Sequence, residues 1–264
     1  TTASKVTMPL DATDASNPFN GPETENRPLL VLDDLVKRFV VRRGLFARGR
    51  ELSAVNHVSL HVEPGETFAL VGESGCGKTT VGRMVAGLER PTAGGISYRG
   101  VSMVGNSGEA GALRREIQMI FQDPYASLNP RLKVWESAAE PLYGFSLVPR
   151  KEARDRVSEL FRLVGLRPDQ LDRFPHELSG GQRQRVGIAR ALAAEPKLIV
   201  ADEPVSALDV SIQAQILNLM REIHSRLNIA YLFISHDLGV VAHISTRIAV
   251  MYLGEIVETG KTRA

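Results

Sequence analysis

The residue types best suited to chemistry lie in the segment 72–80, which reads Gly-Glu-Ser-Gly-Cys-Gly-Lys-Thr-Thr. A glycine, four residues and then Gly-Lys-Thr form the pattern of a phosphate-binding loop, whose glycines let backbone N–H groups approach phosphate oxygens. We expect Lys78 to reach the β- and γ-phosphates of a nucleotide and the Thr79 hydroxyl to bind Mg²⁺. The candidate phosphate-binding residues are Gly72, Glu73, Ser74, Gly75, Cys76, Gly77, Lys78, Thr79 and Thr80.

A second candidate group is the acidic pair Asp202 and Glu203, which ends the apolar segment Leu-Ile-Val-Ala at 198–201. Carboxylates in this position lie at the C-terminal edge of a parallel sheet, where open α/β folds hold ligands. We expect Asp202 to support Mg²⁺ through water and Glu203 to act as general base toward an attacking water. Alone, the pair fits a strand followed by a solvated acidic turn equally well; the phosphate-binding loop favours the catalytic interpretation.

The third group is the segment Leu-Ser-Gly-Gly-Gln at 178–182, which runs into a helical pattern. A serine and two glycines at a helix start form an anion site, because the first N–H groups point outward and the helix dipole favours negative charge. By itself the segment also fits an ordinary helix cap. A chain with two phosphate-binding helix starts is most simply explained by two subunits packed head to tail, each offering Ser179, Gly180, Gly181 and Gln182 to the other's nucleotide.

Short apolar segments alternate with helical patterns and would position these groups. Val, Ile, Leu and aromatic residues predict strands at 29–32, 58–62, 67–71, 198–201, 230–234 and 247–252. Apolar faces predict helices at 150–164 and 211–227, and the phosphate-loop pattern predicts a further helix that it opens, at 78–88. Strands alternating with helices indicate a mainly parallel sheet covered on both faces. The stretch from about 123 to 178 reads as a helical insertion without a strand.

Composition limits the class of protein. The 264 residues suffice for one large α/β domain, and 32 Lys and Arg against 30 Asp and Glu give no reason to expect nucleic acid as a partner. No apolar run approaches the roughly 20 residues that span a bilayer. The single cysteine, Cys76, excludes an internal disulfide and fits a reducing cytoplasm. Residues 1–28 are polar, lack the pattern of a secretory signal, and are expected to form a flexible arm or linker.

The order of these motifs resembles that of the ABC transporter ATPases, whose signature looks like Leu-Ser-Gly-Gly-Gln and falls between the phosphate loop and the acidic strand. The resemblance implies roles for more residues. Gln122, in Phe-Gln-Asp-Pro, resembles the glutamine that touches Mg²⁺ and senses the γ-phosphate, and Asp209, in Ser-Ala-Leu-Asp, resembles a residue that communicates across a dimer. His236, in Ile-Ser-His-Asp, resembles the switch histidine at the γ-phosphate; alone it would fit an ordinary capping or core histidine. Phe39 resembles the aromatic residue that stacks on adenine, with Phe46 as the nearby alternative.

The resemblance covers residues 29 to about 260, and several segments resemble one subfamily in particular. The segments at 72–78, 121–131 and 205–211, with Gly-Leu-Phe at 44–46, are similar to the oligopeptide, dipeptide and nickel importer ATPases. Those proteins continue into a C-terminal extension with a His-Pro-Tyr segment, whereas this sequence stops at Ala264. A lost extension, a truncated form and the second half of a tandem ATPase all remain open.

The resemblance implies an α/β fold: a P-loop nucleotide-binding domain at 29–264, with an antiparallel β subdomain and a helical subdomain at about 123–178. It also implies ATP and Mg²⁺ as cofactors and ATP hydrolysis that drives solute import, with peptides ahead of nickel or other small solutes. Expected partners are transmembrane permease subunits, a second identical or homologous ATPase subunit and an extracytoplasmic substrate-binding protein, at the cytoplasmic face of the membrane.

Two rival functions are weaker. The first rival is an ATPase of the same family that acts in DNA repair or translation. The DNA-repair members carry long coiled coils between the phosphate loop and the signature, and no sustained heptads occur there. A degenerate regulatory subunit would lack the general base or the signature glycines, yet Glu203, Gly180 and Gly181 are present.

Overall fold

The computed structural model describes residues 27–41, 50–105 and 108–262. Within these ranges the strands are β1 Leu30–Val41, β2 Arg50–Val62, β3 Thr67–Val71, β4 Ala93–Tyr98, β5 Val101–Ser102, β6 Ile117–Ile120, β7 Leu198–Asp202, β8 Ala230–Ser235, β9 Arg247–Tyr252 and β10 Glu255–Lys261. The α-helices in the same ranges are α1 Lys78–Val85, α2 Gly108–Leu113, α3 Val134–Gly144, α4 Arg150–Leu163, α5 Gly180–Ala193, α6 Val210–Leu227 and α7 Leu238–Ile244.

The larger sheet has the order β10-β9-β3-β8-β7-β6. Its strands are parallel except β10, which pairs antiparallel with β9. Every residue of β3, β7 and β8 is buried, as expected for central strands covered on both faces. The register aligns Val71 with Ser235, Ile234 with Asp202, and Ala201 with Ile120, so the strand ends that carry the candidate site lie side by side.

The smaller sheet is antiparallel and has the order β2-β1-β4-β5. Its apolar face joins α1 and one face of the larger sheet in a single hydrophobic core. Register shifts interrupt the pairing of β1 with β2, and His57 there adopts a φ of 54°. This sheet is the antiparallel β subdomain that the sequence resemblance implied.

The opposite face of the larger sheet is covered by α3, α4, α5 and α6, which form a second core with it. The segment 123–178 contains no strand, as predicted, but it is less helical than expected. Besides α3 and α4 it contains only two short 3₁₀ turns, Pro168–Gln170 and Pro175–Glu177, with turns between them. Helix α5 packs on both α3 and α4 and so belongs to the same helical layer. No helix in the described ranges is both long enough and apolar enough to cross a membrane.

The predicted strands are all present, and four further strands among the described residues were missed. Those at 67–71 and 247–252 have the predicted limits, whereas β1 and β2 are far longer than expected. The missed strands have weak signals: β4 begins in a Gly-rich segment read as a turn, β5 and β6 are short, and β10 is largely exposed. The first helix also ends at Val85, not at residue 88.

Candidate active site

The phosphate loop joins the buried strand β3 to helix α1. Gly77 immediately precedes the helix with a φ of 112°, and a Cβ there would lie 2.1 Å from the carbonyl oxygen of Ala54 on β2, so only glycine fits. Lys78 is 4% exposed, and its Nζ donates hydrogen bonds to the carbonyl oxygens of Gly72 (2.8 Å) and Glu73 (2.7 Å). The ammonium group is therefore held inside the loop.

The turn between β9 and β10 braces this loop from outside. The Gly254 N–H donates to the Cys76 carbonyl oxygen at 3.0 Å, and the Asn56 N–H on β2 donates to the Gly254 carbonyl oxygen at 2.8 Å. One backbone unit thus connects the phosphate loop to both sheets. The sequence interpretation missed this role of Gly254, although Leu-Gly between two apolar runs is a recognisable turn signal.

Asp202 lies beside the phosphate loop at the end of β7. Thr79 Oγ1 donates a hydrogen bond to Asp202 Oδ1 at 3.0 Å. Burial raises the pKa of Asp202, since the residue is only 3% exposed, while the Thr79 hydrogen bond opposes the shift. A hydroxyl and a buried carboxylate are the oxygen ligands that Mg²⁺ prefers, and Mg²⁺ typically adds substrate phosphates to one or two such protein ligands. These residues fit the metal.

Glu203 is held between two neighbouring side chains. Gln122 Nε2 donates to Glu203 Oε2 at 2.9 Å, and His236 Nδ1 lies 3.2 Å from Glu203 Oε1. The backbone of Glu203 is left-handed (φ 44°) and its N–H donates to the Ile234 carbonyl oxygen at 2.9 Å. The three side chains come from the ends of β6, β7 and β8, so the structure brings all three predicted catalytic residues together.

These groups line a cleft of about 680 Å³, bordered by Glu73, Ser74, Gln122, Asp123, Glu203, Ser206, Ala207 and His236. Side-chain caps fix its walls. Asp123 Oδ1 accepts from the Tyr125 N–H (2.8 Å), and Asp237 Oδ1 accepts from the Gly239 N–H (2.7 Å) at the start of α7. Asp123 closes a turn and Asp237 caps α7; neither was singled out from the sequence, although an aspartate before a helix is a known start signal. The cleft can hold a polyphosphate between the loop and the Glu203 carboxylate.

The Leu-Ser-Gly-Gly-Gln segment lies at a second, separate cleft of about 470 Å³. The Ser179 N–H donates to Gln182 Oε1 (3.0 Å), and Ser179 Oγ accepts from the Gln182 N–H (3.3 Å), a capping box at the start of α5. A Cβ on Gly181 would lie 2.6 Å from Cγ2 of Ile212, so α5 and α6 approach closely there. None of the residues lining this cleft lines the first, so one chain does not bring the two predicted anion sites together.

The remaining predicted residues lie at the edges. Phe39 is half-buried on β1 opposite Leu52, two positions from the Ala54 that touches Gly77, and Lys37 Nζ lies 4.9 Å from its ring centroid. Asp209 is exposed and directly precedes α6. The alternative Phe46, with the segment 44–46, and residues 1–26 of the predicted arm lie outside the described residues.

Several known proteins are similar to this chain in sequence and in fold. The family model described as "ABC transporter" matches residues 55–206. The dipeptide transport ATP-binding protein DppF of Haemophilus influenzae is 50% identical over 239 residues, 90% of this chain and 73% of that protein. The oligopeptide transport ATP-binding protein AppF of Bacillus subtilis is 52% identical over 88% of this chain and 72% of its own length. The glutathione import ATP-binding protein GsiA of Pectobacterium atrosepticum is 55% identical, and the chain spans 38% of it.

A solved structure extends the comparison. The dimeric post-hydrolysis structure of the ATP-binding cassette MJ0796, bound to ADP and Pi, superposes with a TM-score of 0.78 at 29% identity, covering 89% of this chain and 99% of that one. A phosphate loop beside an acidic strand end, at one edge of a mainly parallel sheet, defines a P-loop ATPase. The chain belongs to the ABC transporter family, and it is an ATP-binding ATPase subunit of that family.

Proposed function

We propose that Glu203 is the general base of ATP hydrolysis and that Gln122 and His236 position it. The observation that carries this proposal is the clamp on its carboxylate, in which Gln122 and His236 each hold one oxygen at 2.9 and 3.2 Å. A base fixed at both oxygens loses little orientational freedom before it accepts a proton from water. In the same proposal Lys78 holds the β- and γ-phosphates, and loop N–H groups surround them.

We assign Mg²⁺ to Thr79 and Asp202, with Gln122 as the third candidate ligand. The bond of 3.0 Å between Thr79 Oγ1 and Asp202 Oδ1 supports this, because it joins the two oxygen groups across the sheet edge. Bound Mg²⁺ would neutralise charge on the phosphate oxygens. Phe39 is the proposed adenine platform, since its β1 position lies near the strand residue that touches the phosphate loop.

We propose that two such subunits pack head to tail, as a homodimer or with a homologous partner. The separation of the signature cleft from the catalytic cleft supports this arrangement, since Ser179, Gly181 and Gln182 face no nucleotide site of their own chain. Asp209, exposed before α6, is the proposed contact between the subunits. Residues 29–264 would form the nucleotide-binding domain and about 123–178 its helical subdomain, after an N-terminal arm at 1–28.

We further propose that ATP hydrolysis by this chain drives import of oligopeptides or dipeptides through transmembrane permease subunits. The supporting observation is an identity of about 50% to the dipeptide and oligopeptide transport proteins. The chain would sit peripherally at the cytoplasmic face of the membrane, and an extracytoplasmic substrate-binding protein would deliver the peptide.

The test is transport by the complete complex. The chain is purified with its co-purifying subunits, reconstituted in liposomes, and supplied with ATP and a labelled dipeptide, oligopeptide, glutathione or Ni²⁺. We expect ATP-dependent uptake of a peptide and none with the matched Glu203→Gln complex. Uptake of Ni²⁺ alone would contradict the peptide proposal while leaving the ATPase site intact.

A further inference from the structure

Helix α5, which begins at the signature, carries two arginines whose guanidinium groups lie over aromatic rings of the segment 121–128. Arg190 Cζ lies 5.6 Å from the ring centroid of Phe121, and Arg183 Cζ lies 5.3 Å from that of Tyr125. Both distances are within the range of about 6 Å at which a cation is attracted to a ring face. Positions 183 and 190 are about two helical turns apart, so the two arginines project from the same face of α5.

Hydrogen bonds add to both contacts. Arg190 Nη1 donates to the Ser127 carbonyl oxygen, at the end of the same segment. Arg183 Nη1 donates to the carbonyl oxygens of Pro175 (3.2 Å) and Leu178 (2.6 Å), and Leu178 directly precedes the signature serine. One arginine therefore ties α5 to the segment after Gln122, and the other ties that segment to the residues that lead into the signature.

Neither arginine forms an ion pair with a carboxylate of the described residues. Burial lowers the pKa of the Arg190 guanidinium, and the charge of Glu140 partly opposes this. Placing a cation here is unfavourable compared with an apolar side chain of similar length. A methionine would pack without that desolvation cost, but it could make neither the hydrogen bond to Ser127 nor the cation–π contact with Phe121.

We propose that Arg190 and Arg183 are positioning residues that fasten the segment 121–128 to α5, so that Gln122 and Ser179 move as one body during ATP hydrolysis. The inference rests on the roles proposed above for Gln122 and Ser179. Gln122, which holds the base of its own active site, and Ser179, which is offered to the partner's nucleotide, would then change position together.

The first test breaks the Arg190 contact from both sides in the assembled transporter. Arg190→Met removes the guanidinium and Phe121→Leu removes the ring. The readouts are kcat per folded site, counted with a fluorescent ATP analogue, and KM for ATP. We expect each variant to lower kcat about tenfold through misplacement of Gln122, with KM little changed. The double variant should be no slower than the slower single variant, because both break one contact. Multiplied losses would overturn the proposal.

The second test asks whether Arg190 acts through Gln122. In a Gln122→Ala background, Arg190→Met should cause no further loss of kcat. A further tenfold loss there would show a purely structural effect and overturn the proposal, while the role of Gln122 would stand. The single variant Gln122→Ala tests the proposed role of Gln122 separately. If it leaves kcat unchanged, that role is wrong, and the inference about Arg190 is wrong with it.

Arg154 offers a matched control in the same helical layer. Its Cζ lies 5.4 Å from the Trp135 ring centroid, but its hydrogen bonds go to Asp172 and not to the segment 121–128. Arg154→Met should lower Tm without lowering kcat per folded site; an equal fall in kcat would overturn the inference. If Arg190→Met does not fold, Phe121→Leu and Arg190→Lys replace it. Lysine keeps the charge but not the planar fork, so its kcat should lie between those of methionine and wild type.

Discussion

Replacing Glu203 with glutamine tests the proposed base with little change in shape. The carboxylate accepts from Gln122 Nε2 at 2.9 Å and lies 3.2 Å from His236 Nδ1. A glutamine oxygen can still accept from Gln122, and its amide nitrogen can donate to Nδ1 of a neutral His236 tautomer. The clamp therefore survives, and only the proton-accepting function is lost. A positioned base contributes roughly 10²–10⁴ in rate, or about 3–5 kcal/mol of barrier.

The assay separates binding from chemistry. Single-turnover hydrolysis by the purified Glu203→Gln complex should fall by about that factor, while the affinity for a fluorescent ATP analogue stays within about threefold of wild type. Slow hydrolysis with intact binding should also let the closed, ATP-bound dimer accumulate, as measured by gel filtration. Turnover within tenfold of wild type would refute the assignment of Glu203 as base. Loss of nucleotide affinity would instead indicate that the clamp holds the shape of the site.

Three further predictions concern the same cleft and its partner. Lys78→Ala should weaken ATP-analogue binding as well as turnover, because it removes the charge facing the phosphates and the bonds to the loop carbonyls; unchanged affinity and rate would contradict the phosphate-loop assignment. The raised pKa of Asp202 means that the folded chain binds this proton more tightly than the unfolded chain, so its contribution to stability declines as pH rises from about 4 through the raised pKa. Asp202→Asn should therefore raise Tm at pH 7, with the gain vanishing near pH 4, while Mg²⁺-dependent hydrolysis is lost; a lower Tm at pH 7 would contradict this. In mixed dimers, one Lys78→Ala chain opposite one Ser179→Arg chain leaves one composite site whole, whereas both changes in one chain damage both sites. The first arrangement should retain more ATP-bound dimer, and equal retention would argue against head-to-tail packing.

The site was more predictable than the fold. Phosphate chemistry restricts residue types and their spacing, so the loop at 72–80 and the pair Asp202 and Glu203 stand out in one sequence. The ends of parallel strands meet at one edge, which explains why Gln122, Glu203 and His236 converge although they are far apart in the chain. Residue-level roles such as those of Gln122 and His236 needed the family resemblance, because a lone glutamine or histidine has no pattern.

The missed features depend on tertiary contacts. The strand β10 is an exposed edge strand, so it lacks the apolar run that marked β3 or β8. The strand β4 begins with Ala-Gly-Gly, and antiparallel pairing with β1 overrides the turn preference of its glycines. Equally, nothing in the spacing of Arg183 and Arg190 reveals that aromatic rings of another segment lie under them.

The strand β3, which leads into the phosphate loop, is flanked by β8 and β9, both of which come late in the chain. A ribosome that has released residues up to 206, the end of the family match, has supplied the loop, Asp202 and Glu203 but neither neighbour of β3. Both edges of β3 would then carry unpaired N–H and C=O groups, and the Gly254 brace on Cys76 would be absent. We therefore expect nucleotide not to assist folding before β8 and β9 have been released. The ability to bind ATP should arise only after the hairpin of β9 and β10 has left the exit tunnel.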